Sequence, residues 1–299
     1  MSDQFSWKVP ASCDQMLLRE FLHKEKRFSR RLLTTTKFSG GGLYVNDQEV
    51  TVRYVLQKGD NVTVKLPKEV KGDRMVPEQM ALTILYEDEH VLVVDKRPNM
   101  SVIPSSDHPN GTLANAILYY YDQIGISNTV HFVNRLDRDT SGALLIAKDR
   151  FTHHLFSLAQ QENLIHRQYT AIAEGVIIPD SGTINEPIAR KEGSIIERIV
   201  HPNGQRAVTH FKVEDRSDGH TLLSLKLETG RTHQIRVHLA SLGHPLLGDS
   251  LYGGNDKQIN RQALHSTMLT FIHPFLEKQV EVCSPLPPDF KDVLNRSHD

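Results

Sequence analysis

Between Pro67 and Met80 the chain loses its apolar periodicity, and this charged stretch is punctuated by Pro67, Gly72 and Pro77. Such a break argues for two packing units rather than one continuous core. We take 69–80 as a linker between a small unit at 13–68 and a larger one at 81–299. Residues 1–12, with Phe5 and Trp7 ahead of Pro10, read as an extended N-terminal arm. A length of 299 residues suits two domains.

The small unit begins helically. Leu17, Leu18, Phe21 and Leu22 recur at three and four residues, with Asp14 placed to cap them. Ser29 is placed to cap a second helix carrying Leu32 and Leu33, which should end near Gly40-Gly41-Gly42. Short strands follow at 43–46, 50–55 and 62–66, around turns at Asn46-Asp47 and Gly59-Asp60. The result is an αα-β unit. In the larger unit, strands are expected at 82–86, 91–94, 143–147, 169–173, 209–213 and 222–227, with a helix from Phe151 to about Gln161. Helices do not alternate regularly with strands, so the fold class is α+β.

Composition narrows the function. The chain is 38% hydrophobic, 24% charged and carries a net charge of −1. No apolar run approaches the roughly 20 residues of a membrane span, and no leader-like segment opens the chain, so a cytoplasmic protein is expected without a membrane or an obligate protein partner. Two cysteines, Cys13 and Cys283, cannot build a disulfide framework. The charge is uneven. Arg19, Lys24, Lys26, Arg27, Arg30, Arg31 and Lys37 face only Glu20 and Glu25, a local balance of +5. Such a run is either a solvated helix face or a surface for phosphates.

Three segments are more polar than a core requires. Asn134-Arg135-Leu136-Asp137-Arg138-Asp139-Thr140-Ser141-Gly142 runs directly into the apolar 143–147 strand, a good place to hold a carboxylate rigidly. Asp139, Thr140 and Ser141 can equally be turn caps. If the segment is extended, Arg135, Asp137 and Asp139 share a face. The second segment, 229–243, reads as a strand end feeding a helix with Thr232 as N-cap, Gly243 beyond its C-terminus, and Ile235, Leu239 and Leu242 as the core face. Arg231 stands at its start, and His233 and Arg236 share a side at i, i+3. Arginine there can clamp a phosphate or partner a buried carboxylate. The third, 166–175, opens a strand with Tyr169, either a core aromatic or a platform for a base. The sixteen histidines show no HExxH spacing, and no serine elbow or phosphate-binding glycine loop is present. Neither a metal nor a cofactor is expected.

Taken together, these segments resemble the RluA family of pseudouridine synthases. Arg135-Leu136-Asp137 with Thr140-Ser141-Gly142 is similar to its catalytic signature, Arg167–Tyr169 to its second motif and Gly230–Leu239 to its third. The similarity runs from about 82 to 290, through Leu85-Tyr86-Glu87-Asp88, Gly243-His244-Pro245, Gly248-Asp249, Leu251-Tyr252-Gly253, Ala263-Leu264-His265 and His273-Pro274. The small unit resembles the S-four-type RNA-binding domain many members carry, through Phe28-Ser29-Arg30, Val45-Asn46 and Gly59-Asp60. Two departures stand out. Asn134 replaces the family's usual histidine, and the Lys-Pro-x-Gly turn is Lys96-Arg97-Pro98-Asn99. Asparagine tolerates a left-handed turn.

The resemblance implies a pseudouridine synthase fold, a curved mixed or antiparallel sheet with a central cleft. It implies RNA as partner, with large-subunit ribosomal RNA ahead of transfer RNA. Uridine is detached from its ribose, rotated and rejoined through carbon 5, with no cofactor. Asp137 would be the catalytic carboxylate. Whether it attacks the anomeric carbon, adds to the ring or removes a ribose proton stays open. Tyr169 would stack on uracil, Arg236 would pair with Asp137, and Arg135 would fill the space of a flipped nucleotide. Arg231, His233 and the basic run would contact RNA. A non-catalytic RNA-binding protein of the same fold and a two-carboxylate glycosidase using Asp137 and Asp139 are the alternatives.

Overall fold

The computed structural model describes residues 4–70, 72, 75–105, 108–217 and 219–296. The N-terminal unit contains β1 (Gln4–Lys8), a short helix α1 (Leu18–Glu20) that widens into a π-turn at Phe21–Glu25, α2 (Arg30–Phe38), β2 (Gly42–Val45), β3 (Gln48–Glu49) and β4 (Asn61–Lys65). Its sheet runs β1-β4-β2-β3, all antiparallel. Ser29 caps α2 by accepting from the Leu32 amide at 3.1 Å. Asn46 and Asp47 both adopt positive φ in the β2–β3 hairpin turn, as a two-residue hairpin turn requires.

Three local expectations fail here. The N-terminal arm is a sheet strand: Phe5 is buried and β1 pairs with β4 along its whole length. Asp14 does not cap the first helix. Gln15 turns left-handed, the helix starts at Leu18, and the Asp14 carboxylate accepts instead from the Lys58 amide. Residues 50–55 are not a strand, because the chain closes a turn from Tyr54 N to Thr51 O. The β3 strand that pairs with β2 on this side is just Gln48–Glu49.

The described part of the 69–80 stretch has no helix or strand, yet it is laid down on the larger unit. The Glu69 carboxylate is buried against His131 (2.8 Å) and Arg150 (2.9 Å), and the Asn115 side-chain amide donates to Val76 O. Burial opposes the charge on Glu69, but the His131 and Arg150 contacts outweigh it and hold its carboxyl below the usual range.

The larger unit contains β5 (Thr83–Glu87), β6 (Val91–Lys96), α3 (Leu113–Gln123), β7 (His131–Phe132), β8 (Ser141–Ala147), α4 (Arg150–Gln161), β9 (Ile165–Glu174), β10 (Ser181–Ile184), β11 (Ile188–Arg190), β12 (Arg198–Val200), β13 (Thr209–Ser217), β14 (His220–Leu227), α5 (Gln234–Ser241), β15 (Leu264–Ile272), β16 (Gln279–Cys283) and α6 (Pro288–Arg296). Ten strands form one sheet in the order β10-β13-β14-β9-β15-β8-β6-β5, with β16 on β15 and β7 on β8. Only β15–β8 is parallel, so the sheet is mixed. The fold is α+β with a large mixed sheet, the class expected from the sequence.

Alternation along β6 explains the layering. Leu92 and Val94 face the helix α3, with Leu113, Ile117 and Tyr121, while Val91 and Val93 face Phe156 of α4. The sequence pattern missed α3, although its capping box of Thr112 and Asn115 is legible as an N-terminal signal. The two units meet across an aromatic seam. Phe151, at the start of α4, stacks on Phe28 at 4.0 Å and meets Phe5 edge-on at 4.9 Å, and Phe275 lies 5.6 Å from Phe5.

Candidate active site

The loop between β7 and β8 is held from behind by its main chain. Asn134, standing where histidine is usual, accepts from the Leu145 amide at 2.9 Å and ties the loop to β8. Lys96, fully buried, donates to the carbonyls of Arg138 (2.8 Å), Met100 (2.9 Å) and Arg97 (3.0 Å). Burial pushes its ammonium down to about 7. Arg261 donates to Asp139 O at 3.0 Å. Asn99 takes the left-handed conformation its turn demands, φ 57°. Gly142, at φ +110°, lies so close to the Ser266 backbone that a Cβ would sit 2.3 Å from Ser266 O; any side chain there would push β8 off β15.

With its backbone fixed, the loop turns its Asp137 side chain into a cavity of about 870 Å³, lined also by Arg135, Tyr169, Arg231, His233 and Arg236. That volume fits a small-molecule-sized group. On the opposite wall, Gln234 locks the entrance to α5. Its side-chain oxygen accepts from the Arg231 amide (3.0 Å) and Thr229 Oγ1 (2.7 Å), and its amide donates to Val208 O (2.9 Å).

One turn later, Arg236 is buried and bound by two carboxylates. Its Nε and Nη2 donate to Asp249 at 2.7 and 2.8 Å, and Nη1 donates to Asp137 Oδ2 at 3.3 Å. Burial works against the charge, but the Asp249 contact more than compensates and raises the guanidinium above its ordinary value. The Tyr252 ring lies 5.0 Å beneath the guanidinium carbon, and the Tyr252 hydroxyl meets His233 Nδ1 at 2.8 Å. His233 Nε2 is 3.9 Å from Asp137 Oδ2. Both neighbours of Asp137 thus approach one oxygen. Among the described residues, no hydrogen bond falls on Oδ1. Tyr169 is buried in the wall, and burial raises its hydroxyl pKa. Among the described residues no three histidine, cysteine or acidic side chains gather as a metal site.

Asp137, held by a buried arginine, thus faces a cavity whose wall also includes Glu228, itself paired with Arg206 and His210. The family model described as RNA pseudouridylate synthase matches residues 90–241, half of the chain. The chain belongs to the RNA pseudouridine synthase family. As a pseudouridine synthase it is an isomerase that converts uridine to pseudouridine in RNA. The uncharacterized RNA pseudouridine synthase YjbO of Bacillus subtilis is 51% identical over 270 residues, 90% of this chain and 95% of that protein. Ribosomal large subunit pseudouridine synthase D of Haemophilus ducreyi is 38% identical over 246 residues, covering 77% of this chain and 75% of its own. The solved structure of human RNA pseudouridylate synthase domain containing 1 matches with a TM-score of 0.59 and 28% identity, over 73% of this chain and 86% of that one.

Within this synthase the expected residues divide. Arg135, Asp137, Tyr169, Arg231, His233 and Arg236 line one cavity. Asp139 does not join them. Thr140 N closes a turn onto Asp137 O, so the segment is not extended and the two carboxylates do not share a face. Thr232 is not the N-cap of α5; His233 is, in a left-handed conformation with φ 57°. Leu242, expected on the core face, is 48% exposed. The basic run lies on the N-terminal unit. Lys24 pairs with Glu20, Lys26 lies over Trp7 and Phe21, Lys37 lies over Phe38, and Arg30 and Arg31 are exposed. Arg27 pairs at the edge of the seam with Glu162, which caps the C-terminus of α4. The residues that sequence reasoning left without a task are Asp249, Tyr252 and Lys96. Nothing in their spacing connects them to Asp137.

Proposed function

We propose that Asp137 is the catalytic carboxylate of this pseudouridine synthase and that its substrate is large-subunit ribosomal RNA. The observation that carries the first part is the Asp137–Arg236–Asp249 chain. A guanidinium locked by one buried carboxylate presents its remaining edge to a second, Asp137, and fixes that side chain in the cavity wall. Asp137 Oδ1 is the oxygen that meets the nucleotide. Tyr169 supplies the face on which uracil rests. Arg135, exposed at the cavity mouth, occupies the helical position vacated by the flipped uridine. The reaction breaks the C1′–N1 bond, forms C1′–C5, gives the C5 hydrogen to solvent as a proton and takes a proton from solvent at N1, so it needs no redox partner.

The ribosomal reading is supported by the resemblance to synthases named for the large subunit, at 38% identity. In the N-terminal unit, Lys24, Lys26, Arg30, Arg31 and Lys37 offer cations to the phosphate backbone. The test uses [5-³H]uridine-labelled RNA from cells lacking the gene. Wild-type protein should release tritium and restore pseudouridine at discrete large-subunit positions, read as carbodiimide-dependent primer-extension stops. Asp137→Asn should bind the RNA and release none. Release near the wild-type rate by that variant, or restoration confined to transfer RNA, would refute the corresponding part.

A further inference from the structure

Beside Asp137 the cavity holds a second polar group, His233. His233 caps α5 in a left-handed conformation, φ 57° and ψ 20°, uncommon for a residue with a side chain. Its ring is held edge-to-face on Tyr252, with centroids 5.7 Å apart. The Tyr252 hydroxyl oxygen accepts the Arg198 amide proton at 3.0 Å and lies 2.8 Å from His233 Nδ1, to which we assign its own proton. With Nδ1 accepting, the neutral ring carries its proton on Nε2. His233 lines the cavity, and its Nε2 stands 3.9 Å from Asp137 Oδ2, beyond hydrogen-bonding reach of an oxygen that Arg236 already contacts. Burial lowers the proton affinity of the ring and Arg236 and Arg198 work the same way, against Asp137 and Asp249, so the ring is neutral at pH 7.

We propose that His233 is a further catalytic residue: as a neutral donor, its Nε2–H hydrogen-bonds a uracil carbonyl oxygen while the C1′–N1 bond breaks. This rests on the reading of Asp137 given above. The electron pair of that bond stays on the departing uracil and spreads onto its carbonyl oxygens. A fixed donor aimed there strengthens its bond as the charge develops. The proton stays on His233 throughout. A neutral imidazole suits this task, since an imidazolium would instead bind the Asp137 carboxylate and neutralise it. Tyr252 is the positioning residue, for it sets the tautomer through its hydroxyl and supports Arg236 with its ring.

Two amide variants separate this from a structural role. His233→Asn tolerates the left-handed backbone and keeps a group near Nδ1 but removes the donor at Nε2. His233→Gln returns an N–H near Nε2. In single-turnover tritium release on the same labelled RNA, His233→Asn should slow the step by about 10²-fold with unchanged half-saturating enzyme concentration. His233→Gln should recover a large part. Tyr252→Phe withdraws a hydrogen bond that favours the neutral ring, so the acid limb of its rate–pH profile should move to higher pH. The proposal falls if His233→Asn stays within about threefold of wild type. It also falls if both amides are equally slow while Tyr252→Phe leaves the acid limb in place. Asp137→Asn, run alongside, separates the two readings. Its activity would overturn the Asp137 reading, whereas an inert Asp137→Asn beside a full-rate His233→Asn overturns only the role given to His233.

Discussion

The cleft and the seam between the two units both join residues far apart in sequence, but the cleft buries charge and the seam buries rings. Around Arg236 every contact is directional. Three guanidinium nitrogens meet three carboxylate oxygens at 2.7–3.3 Å, a planar fork that a lysine cannot reproduce in full. In the seam, Phe5, Phe28, Phe151 and Phe275 overlap at 4.0–6.0 Å in both stacked and edge-on arrangements. Burial of rings depends on area more than on direction. The cleft therefore needs particular residues at particular positions, and the seam needs only large apolar ones of about the right volume.

The sharpest way to break this contrast is Arg236→Ala. It leaves the Asp249 carboxylate, 2% exposed, without its partner. An uncompensated buried charge of this kind costs on the order of 3–5 kcal/mol. The stability loss thus arises at Asp249, while the loss of turnover arises at Asp137. Urea unfolding and tritium release should both register the change. Arg236→Lys should recover only part, because a lysine cannot supply the planar two-pronged contact. Wild-type stability together with wild-type turnover in Arg236→Ala would remove the chemical basis of the contrast.

Phe151→Ala tests the other side. Phe151 is 1% exposed and stacks on the N-terminal unit, and truncating a buried phenylalanine costs roughly 3–5 kcal/mol. The loss should appear as a lowered urea midpoint and faster proteolysis within 67–80, with the single-turnover rate per folded molecule unchanged. A comparable loss of rate would mean that the seam and the cleft are mechanically coupled. The same contact implies that deleting residues 1–75 strips Phe151 and Phe275 of their cover and removes Glu69 from His131 and Arg150. The catalytic unit should be studied in the full chain.

How much of this was legible in the sequence follows the same division. Arg135, Asp137 and Arg231 stood out because a polar loop entering an apolar strand and an arginine at a strand-to-helix turn are unusual in a core, whereas the roles of Tyr169 and Arg236 came from the family resemblance. Residue type carried the signal. The β6 and β8 strands were legible from unbroken apolar runs. Asp249 was not, because its 13-residue separation from Arg236 follows no helical or strand period and is set by the loop from Gly243 to Gly253. Asp139 was misplaced because a tight turn and an extended segment share the same polar composition. The seam left no trace at all, since Phe28, just ahead of α2, and Phe151, at the start of α4, carry no signal that they meet. The β1 strand was taken for an arm for the same reason: its partner β4 lies more than fifty residues away.

The smallest expected effect concerns Arg27, which by sequence belongs with Arg30 and Arg31 and by structure belongs to the seam. Its guanidinium meets Glu162, and its carbonyl faces His154 Nε2 at 2.9 Å. Arg30 and Arg31 carry exposed side chains at the start of α2. If the N-terminal unit tracks the RNA backbone, each phosphate contact that is lost should lower the log–log salt slope of binding by roughly 0.7–0.9. Arg30→Ala and Arg31→Ala should each show this decrease. Arg27→Ala should change the slope by clearly less, because its charge is already opposed by a carboxylate and contributes little to the field that phosphates feel. Binding isotherms over a salt titration would measure the difference. A full decrease in Arg27→Ala would mean that RNA displaces Glu162, and that this edge of the seam opens when substrate binds.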